Sequence, residues 1–119
     1  MGMNEATVQA LERLAAAKRG DILFRNNVGV LLDQRGVPVR FGLANDSAAV
    51  NEHVKSADLI GIKRVVVTPE MVGQTLGVFY SREVKAEGWR FTGTPREVAQ
   101  LRWIELVTKY GGDAAFTTG

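Results

Sequence analysis

The sequence predicts a mixed domain, α/β or α+β, in which helices flank a mixed sheet. Three observations carry that reading. The chain opens on a helix-period apolar pattern, and a proline-led, capped helical segment lies near its end. Between them, turn residues break the chain into short β-branched runs. The order reads roughly α-β-β-β-α-β, with an extra hairpin towards the N-terminus.

Asn4 to Lys18 has Val8, Leu11, Leu14 and Ala15 at helical spacing, with Asn4 as N-cap and Gly20 as stop. Ile22 to Phe24 and Val28 to Leu32 are strand-like, joined by Arg25-Asn26-Asn27. Asp33-Gln34-Arg35-Gly36 is turn chemistry, so Val37 to Phe41 completes a hairpin. Asn45 to Lys55 has no clear period and reads as a loop with one helical turn. Leu59 to Val67 reads as one long strand, Thr68-Pro69-Glu70 opens a turn, and Val78 to Lys85 is the next strand. Thr94-Pro95-Arg96-Glu97 combines an N-cap, a proline at the first helical position and a capping-box acid. That helix runs to Tyr110, Gly111-Gly112 ends it, and Ala114 to Thr117 is an edge strand.

The chain has 119 residues, and its length and 45% hydrophobic content suit one domain, residues 1–119, with a single core. No segment approaches the roughly 20 apolar residues that cross a bilayer, and no signal-peptide pattern is visible, so no membrane association is expected. With no cysteine, the chain lacks disulfides and thiolate zinc sites, and a cytoplasmic location is expected. His53 is the one histidine, which disfavours a histidine-rich metal site or a Ser-His-Asp triad. Any metal must therefore be held by oxygen, which points to Mg2+ or Mn2+. The net charge of +2 is compatible with a polyanion partner without arguing for one.

Glu83 and Lys85 stand two apart in a strand-like run, so their side chains leave on one face. Asp58 heads a second apolar run, Leu59-Ile60-Gly61-Ile62, that can lie beside the first. Alone, Glu-x-Lys is an ordinary surface pair worth under about 1 kcal/mol, and Ser-x-Asp is ordinary turn chemistry. Together they describe a hard-cation site with an ammonium beside it. Two carboxylates about 5 Å apart repel by roughly 3 kcal/mol at an effective dielectric near 20, which a bound cation would offset. Such equipment suits metal-assisted attack of water on a phosphodiester.

Several stretches then take on a family pattern. They are Phe24-Arg25-Asn26-Asn27-Val28-Gly29, Arg40-Phe41-Gly42-Leu43, Ser56-Ala57-Asp58-Leu59-Ile60-Gly61 and Thr68-Pro69-Glu70-Met71-Val72-Gly73. Val78-Phe79, Glu83-Val84-Lys85, Gln100, Trp103-Ile104 and Gly111-Gly112-Asp113-Ala114 follow. In this order they resemble the VRR-NUC (virus-type replication-repair nuclease) family of the PD-(D/E)XK nuclease superfamily, in its stand-alone phage form. The resemblance implies a restriction-endonuclease-like core and a metal-dependent DNA endonuclease. Asp58 matches the first acid, Glu83 the second, Lys85 the catalytic lysine and Gln100 the helix glutamine. The Val84 carbonyl would complete a Mg2+ or Mn2+ shell, and Glu5 resembles a further acid near the metal. Ala57 stands where the family usually has proline, and the polar stretch Asn45 to Lys55 is longer than in many relatives.

The same resemblance implies action on branched DNA such as four-way junctions, and a homodimer, with Val28 to Leu32 and Val65-Val66-Val67 as candidate surfaces. The alternatives are a nuclease without structure preference and a silent DNA-binding module of the same fold. Arg25, Asn26 and Asn27 are candidate phosphate contacts or plain turn formers. Trp89 and Arg90 either stack on DNA or cover the core. Trp103 reads as core and His53 as a solvated loop residue.

Overall fold

In the computed structural model, which describes residues 2–119, Asn4 caps the first helix by accepting a hydrogen bond at Oδ1 from the Thr7 amide, 2.9 Å away. The helix α1 spans Glu5–Lys18, with Glu5 in its first turn and Lys18 in its last, each at the end the helix dipole favours. It belongs to the first of two units, formed by the chain up to Lys18 together with Ile22–Gly61. Arg19–Asp21 and Ile62–Gly119 form the second. Only Ala16 of α1 is buried, and the helix packs on β1 (Ile22–Arg25), where Arg13 Nε donates to the Leu23 carbonyl. Val8, Leu11 and Leu14, which set the apolar period, stay exposed.

β1 pairs with β4 (Leu59–Ile62). Gly61 permits this pairing. A Cβ there would overlap the Ile22 carbonyl oxygen and lie 2.8 Å from Leu23 Cα, so only glycine allows β1 so close. The hairpin follows the sequence expectation: β2 (Gly29–Leu32) and β3 (Pro38–Phe41) run antiparallel, with Gly29 opposite Phe41 and Leu32 opposite Pro38. Asp33 closes the turn by accepting from the Arg35 and Val37 amides at 2.8 and 2.9 Å. At the hairpin's base Asn45, 3% exposed, donates to the Gly29 and Phe41 carbonyls and accepts from Arg40. The stretch expected to hold one helical turn contains α2 (Ala48–His53), capped by the Ser47 hydroxyl.

The long strand expected over 59–67 ends at Ile62. Two residues on, the Arg64 amide donates to the Asp21 carboxylate at 2.9 Å instead of to a neighbouring strand, so the ladder stops. A short 3-10 turn, Pro69–Met71, comes next.

The second unit is a β-α-β arrangement: β5 (Tyr80–Val84), α3 (Pro95–Lys109) and β6 (Asp113–Thr117). β5 and β6 are parallel, with Tyr80 opposite Asp113 and Glu83 opposite Phe116, and α3 makes the crossover that parallel strands require. The capping box at the start of α3 is complete: Thr94 Oγ1 accepts from the Glu97 amide and Glu97 Oε1 from the Thr94 amide. Val107 is fully buried, and Gly112 lies against its side chain, where a Cβ would come within 2.6 Å of Val107 Cγ1.

The protein is therefore mixed α/β, with antiparallel and parallel pairs. Where the sequence suggests one mixed sheet, the described strands pair two by two: β1 with β4, β2 with β3, and β5 with β6. At the ends of the four-residue strands side chains take over backbone groups: Asn45 at Gly29 and Phe41, Asn26 at Ala57 before β4, and Asp21 at Arg64 beyond it. Among the described residues no helix is long and apolar enough to cross a membrane.

Candidate active site

The alternation of β5 turns Ser81 and Glu83 to one face, and Lys85, just past the strand, continues it. α3 lies on that face. Gln100 and Trp103, three residues apart and so on one side of the helix, meet the strand in a row. Trp103 Nε1 donates to Ser81 Oγ at 2.9 Å. Gln100 Nε2 donates to Glu83 Oε1 at 2.8 Å, while Gln100 Oε1 accepts from Lys85 Nζ at 2.8 Å. One amide thus bridges the acid and the base, whose charged atoms stand 4.0 Å apart. The assignment of nitrogen and oxygen on Gln100 follows from its partners, since the ammonium only donates and the carboxylate only accepts.

Lys85 is well enclosed, with its side chain 16% exposed and its ammonium over the rings of Trp89 and Phe116, 5.5 and 5.9 Å from their centroids. Glu83 is more open, at 38%, and among the described residues its Oε2 takes no hydrogen bond. Beside it lies a cleft of about 380 Å³ lined by Glu83, Arg96, Ala99, Gln100 and Trp103. The sequence reading missed Arg96 and Phe116. A guanidinium at the second position of a capped helix reads as solvated, and the place of Phe116 under Lys85 follows from the parallel register of Glu83 with Phe116.

Trp89 is tied down. Its indole N–H donates to Glu97 Oε2 at 2.9 Å, and its ring packs on Phe116 with centroids 4.8 Å apart. Glu97, 7% exposed, also accepts from the Thr92 amide and hydroxyl and from the Thr94 amide. The Thr94 amide, then the Thr92 amide, the Trp89 indole and the Thr92 hydroxyl lower the Glu97 carboxyl to about 2, against partial burial that raises it. Because the folded value is depressed, this contribution to stability is full above the usual range near 4.5 and is lost as pH falls towards 2. In thermal melts, the stability gap between the native protein and Glu97→Gln should therefore shrink across that window. A gap that does not change with pH would show that the carboxylate's ionisation is not what anchors Trp89.

Asp58, Glu5, Arg25, Asn26 and Asn27 belong to the first unit, and Glu83, Val84, Lys85, Trp89, Arg90 and Gln100 to the second. Asp58 is exposed at the bend before β4, and its carbonyl accepts from the Asn26 amide at 2.8 Å. Asn26 does more: its Nδ2 donates to Ser56 Oγ and the Ala57 carbonyl, and its Oδ1 accepts from the Leu43 amide. Its backbone amide and Nδ2 thus brace the segment from Ser56 to Asp58, and its Oδ1 ties that segment to Leu43. Arg25, Asn27 and Arg90 are exposed, and Glu5 lies in the exposed first turn of α1.

Glu83 offers a carboxylate oxygen, the donor type that hard divalent cations take, with Lys85 Nζ 4.0 Å from its Oε1. Among the described residues no cluster of three or more His, Cys, Asp and Glu side chains gathers. A cation here would rely on few carboxylates, backbone carbonyls and water, as Mg2+ ordinarily does. Comparison with known proteins finds no matching family model, no matching characterised protein and no matching solved structure.

Proposed function

We propose that this protein is a metal-dependent DNA endonuclease that hydrolyses phosphodiester bonds and prefers branched DNA. The observation that supports the reading best is the Gln100 amide bridging Glu83 and Lys85 at 2.8 Å on each side. A surface Glu-x-Lys pair has no need of a helix glutamine between its partners. A site that must aim a carboxylate and an ammonium in fixed directions, 4.0 Å apart, does.

Glu83, with the Val84 carbonyl, would hold Mg2+ or Mn2+; Asp58 and Glu5, named as ligands by the resemblance, are to be judged by substitution. The bound cation supplies charge neutralisation at the phosphate. Lys85 offers a preorganised positive charge to the oxygens that gain charge as the bond breaks. The ring walls of Trp89 and Phe116 keep water from its flanks, which strengthens that interaction. Gln100 fixes the direction in which the ammonium points.

The test is a cleavage panel of linear duplex, single strand, flap and four-way junction, with Mg2+ and with Mn2+. Cuts at symmetric positions on opposing junction arms are expected, together with a light-scattering mass of about twice 13.0 kDa. The dimer draws support from the exposed apolar chain of β2, Leu31 and Leu32. Absence of cleavage on every substrate with either metal would refute the reading, and equal cutting of linear DNA would remove only the structure preference.

Metal should also raise the melting temperature. At about ten times Kd, binding to the native state alone contributes roughly 1.4 kcal/mol, a shift of a few degrees. Glu83→Gln should lose that increment. An equal shift in both proteins would place the metal elsewhere.

A further inference from the structure

A second charged feature lies in the same unit as Glu83 and is used by nothing described so far. Arg19, Arg64, Lys109 and Tyr110 line an open cleft of about 420 Å³, together with Val65 and Val66. The segment Arg19–Asp21 folds with this unit. We propose that this cleft binds a backbone phosphate of single-stranded nucleic acid, with the adjoining sugar and base resting on Val65, Val66 and Tyr110.

Arg64 is a positioned side chain rather than a free one. Its backbone amide is fixed by the Asp21 carboxylate, and its guanidinium lies over the Tyr110 ring, 5.6 Å from the centroid. The guanidinium also lies against Gly20, where a Cβ would come within 2.5 Å of Nη2. The positive φ of Gly20, +83°, suits the same residue type, so the turn is shaped to let the arginine in. A guanidinium held over an aromatic ring keeps N–H groups free to bind an anion.

Among the described residues no carboxylate pairs with Arg64 or Lys109. Asp21 is already engaged by the Arg64 amide and by Arg19 at 3.6 Å. Among the described residues, three cations and no carboxylate line the cleft. The helix dipole accounts for Lys109 in the last turn of α3, but not for the two arginines. The apolar lining argues for more than a bare phosphate. Val66 is 86% exposed and Val65 54%, a surface that water covers poorly and a base or sugar covers well.

The proposal rests on the reading of the chain as a nucleic-acid enzyme, so its test avoids catalysis. Binding of a short fluorescein-labelled oligothymidylate is followed by anisotropy in EDTA across a salt series. Arg64→Gln and Lys109→Gln should each weaken binding about three- to tenfold and lower the salt slope by about 0.7 to 1. Arg64→Lys should keep the slope. If a melt shows Arg64→Gln unfolded, Lys109→Gln, on an exposed helix end, decides alone. Unchanged affinity and slope in the folded variants would overturn the proposal. So would inorganic phosphate filling the cleft at micromolar concentration without displacement by the oligonucleotide, which would mark a small-anion site. A native protein that binds through this cleft and cleaves nothing would leave the proposal standing and remove the nuclease reading alone.

Discussion

Lys85→Met should lower DNA cleavage by about 10² or more while the protein stays folded. Methionine keeps an apolar stem against Trp89 and Phe116 and removes only the ammonium held by Gln100. Glu83→Gln, which retains an oxygen for the Gln100 amide, should cost as much, and so should Asp58→Asn. Gln100→Ala is the informative intermediate. Without the bridge, Lys85 and Glu83, already 4.0 Å apart, can pair directly and neutralise each other. The expected loss is about tenfold or more, mainly in kcat, because the amide orients the ammonium and does not hold the substrate. The measurements are single-turnover rates on the best substrate of the panel, with circular dichroism to confirm folding. Folded variants of Glu83 and Lys85 with near-native rates would remove the site; variants that unfold would make it a structural ion pair.

Gly61→Ala should bring the largest loss of stability. An alanine Cβ would strike backbone, the Ile22 carbonyl and Leu23 Cα, and no flexible side chain is there to move aside. Forcing β1 and β4 apart should cost about 1–3 kcal/mol, or roughly 4–12 °C in melting temperature. Gly73→Ala makes the useful comparison. It has a positive φ, +87°, but open space around it, so it reports backbone strain without a clash. If Gly61→Ala melts no lower than Gly73→Ala, close approach is not what requires glycine at position 61.

Local chemistry was legible in the sequence wherever it depends on neighbours along the chain. Thr94-Pro95-Arg96-Glu97 specifies a helix start because its hydrogen bonds close within four residues. Asp33 and Gly36 specify a hairpin turn for the same reason. The two-residue spacing of Glu83 and Lys85 fixes their shared face in a strand, since the pleat has a period of two. The apolar period of α1 was legible as a helix but not as a burial pattern: Ala16 is covered while Val8, Leu11 and Leu14 are not. Periodicity says which residues share a face, and only packing says which face is used.

What the sequence by itself determined is the mixed α/β class, the capped helices, the hairpin and the presence of an acid and a lysine side by side. The tertiary structure decided what those groups do to one another. Gln100 lies 15 residues beyond Lys85, and Trp89 needs the buried Glu97 to hold it under the ammonium. Arg64 reaches its place through Asp21, 43 residues earlier, which also ends the strand that the β-branched run to Val67 suggests. In each case a side chain satisfies a distant group, and the pairing is set by how strands and helices come together in space rather than by the order of residues along the chain.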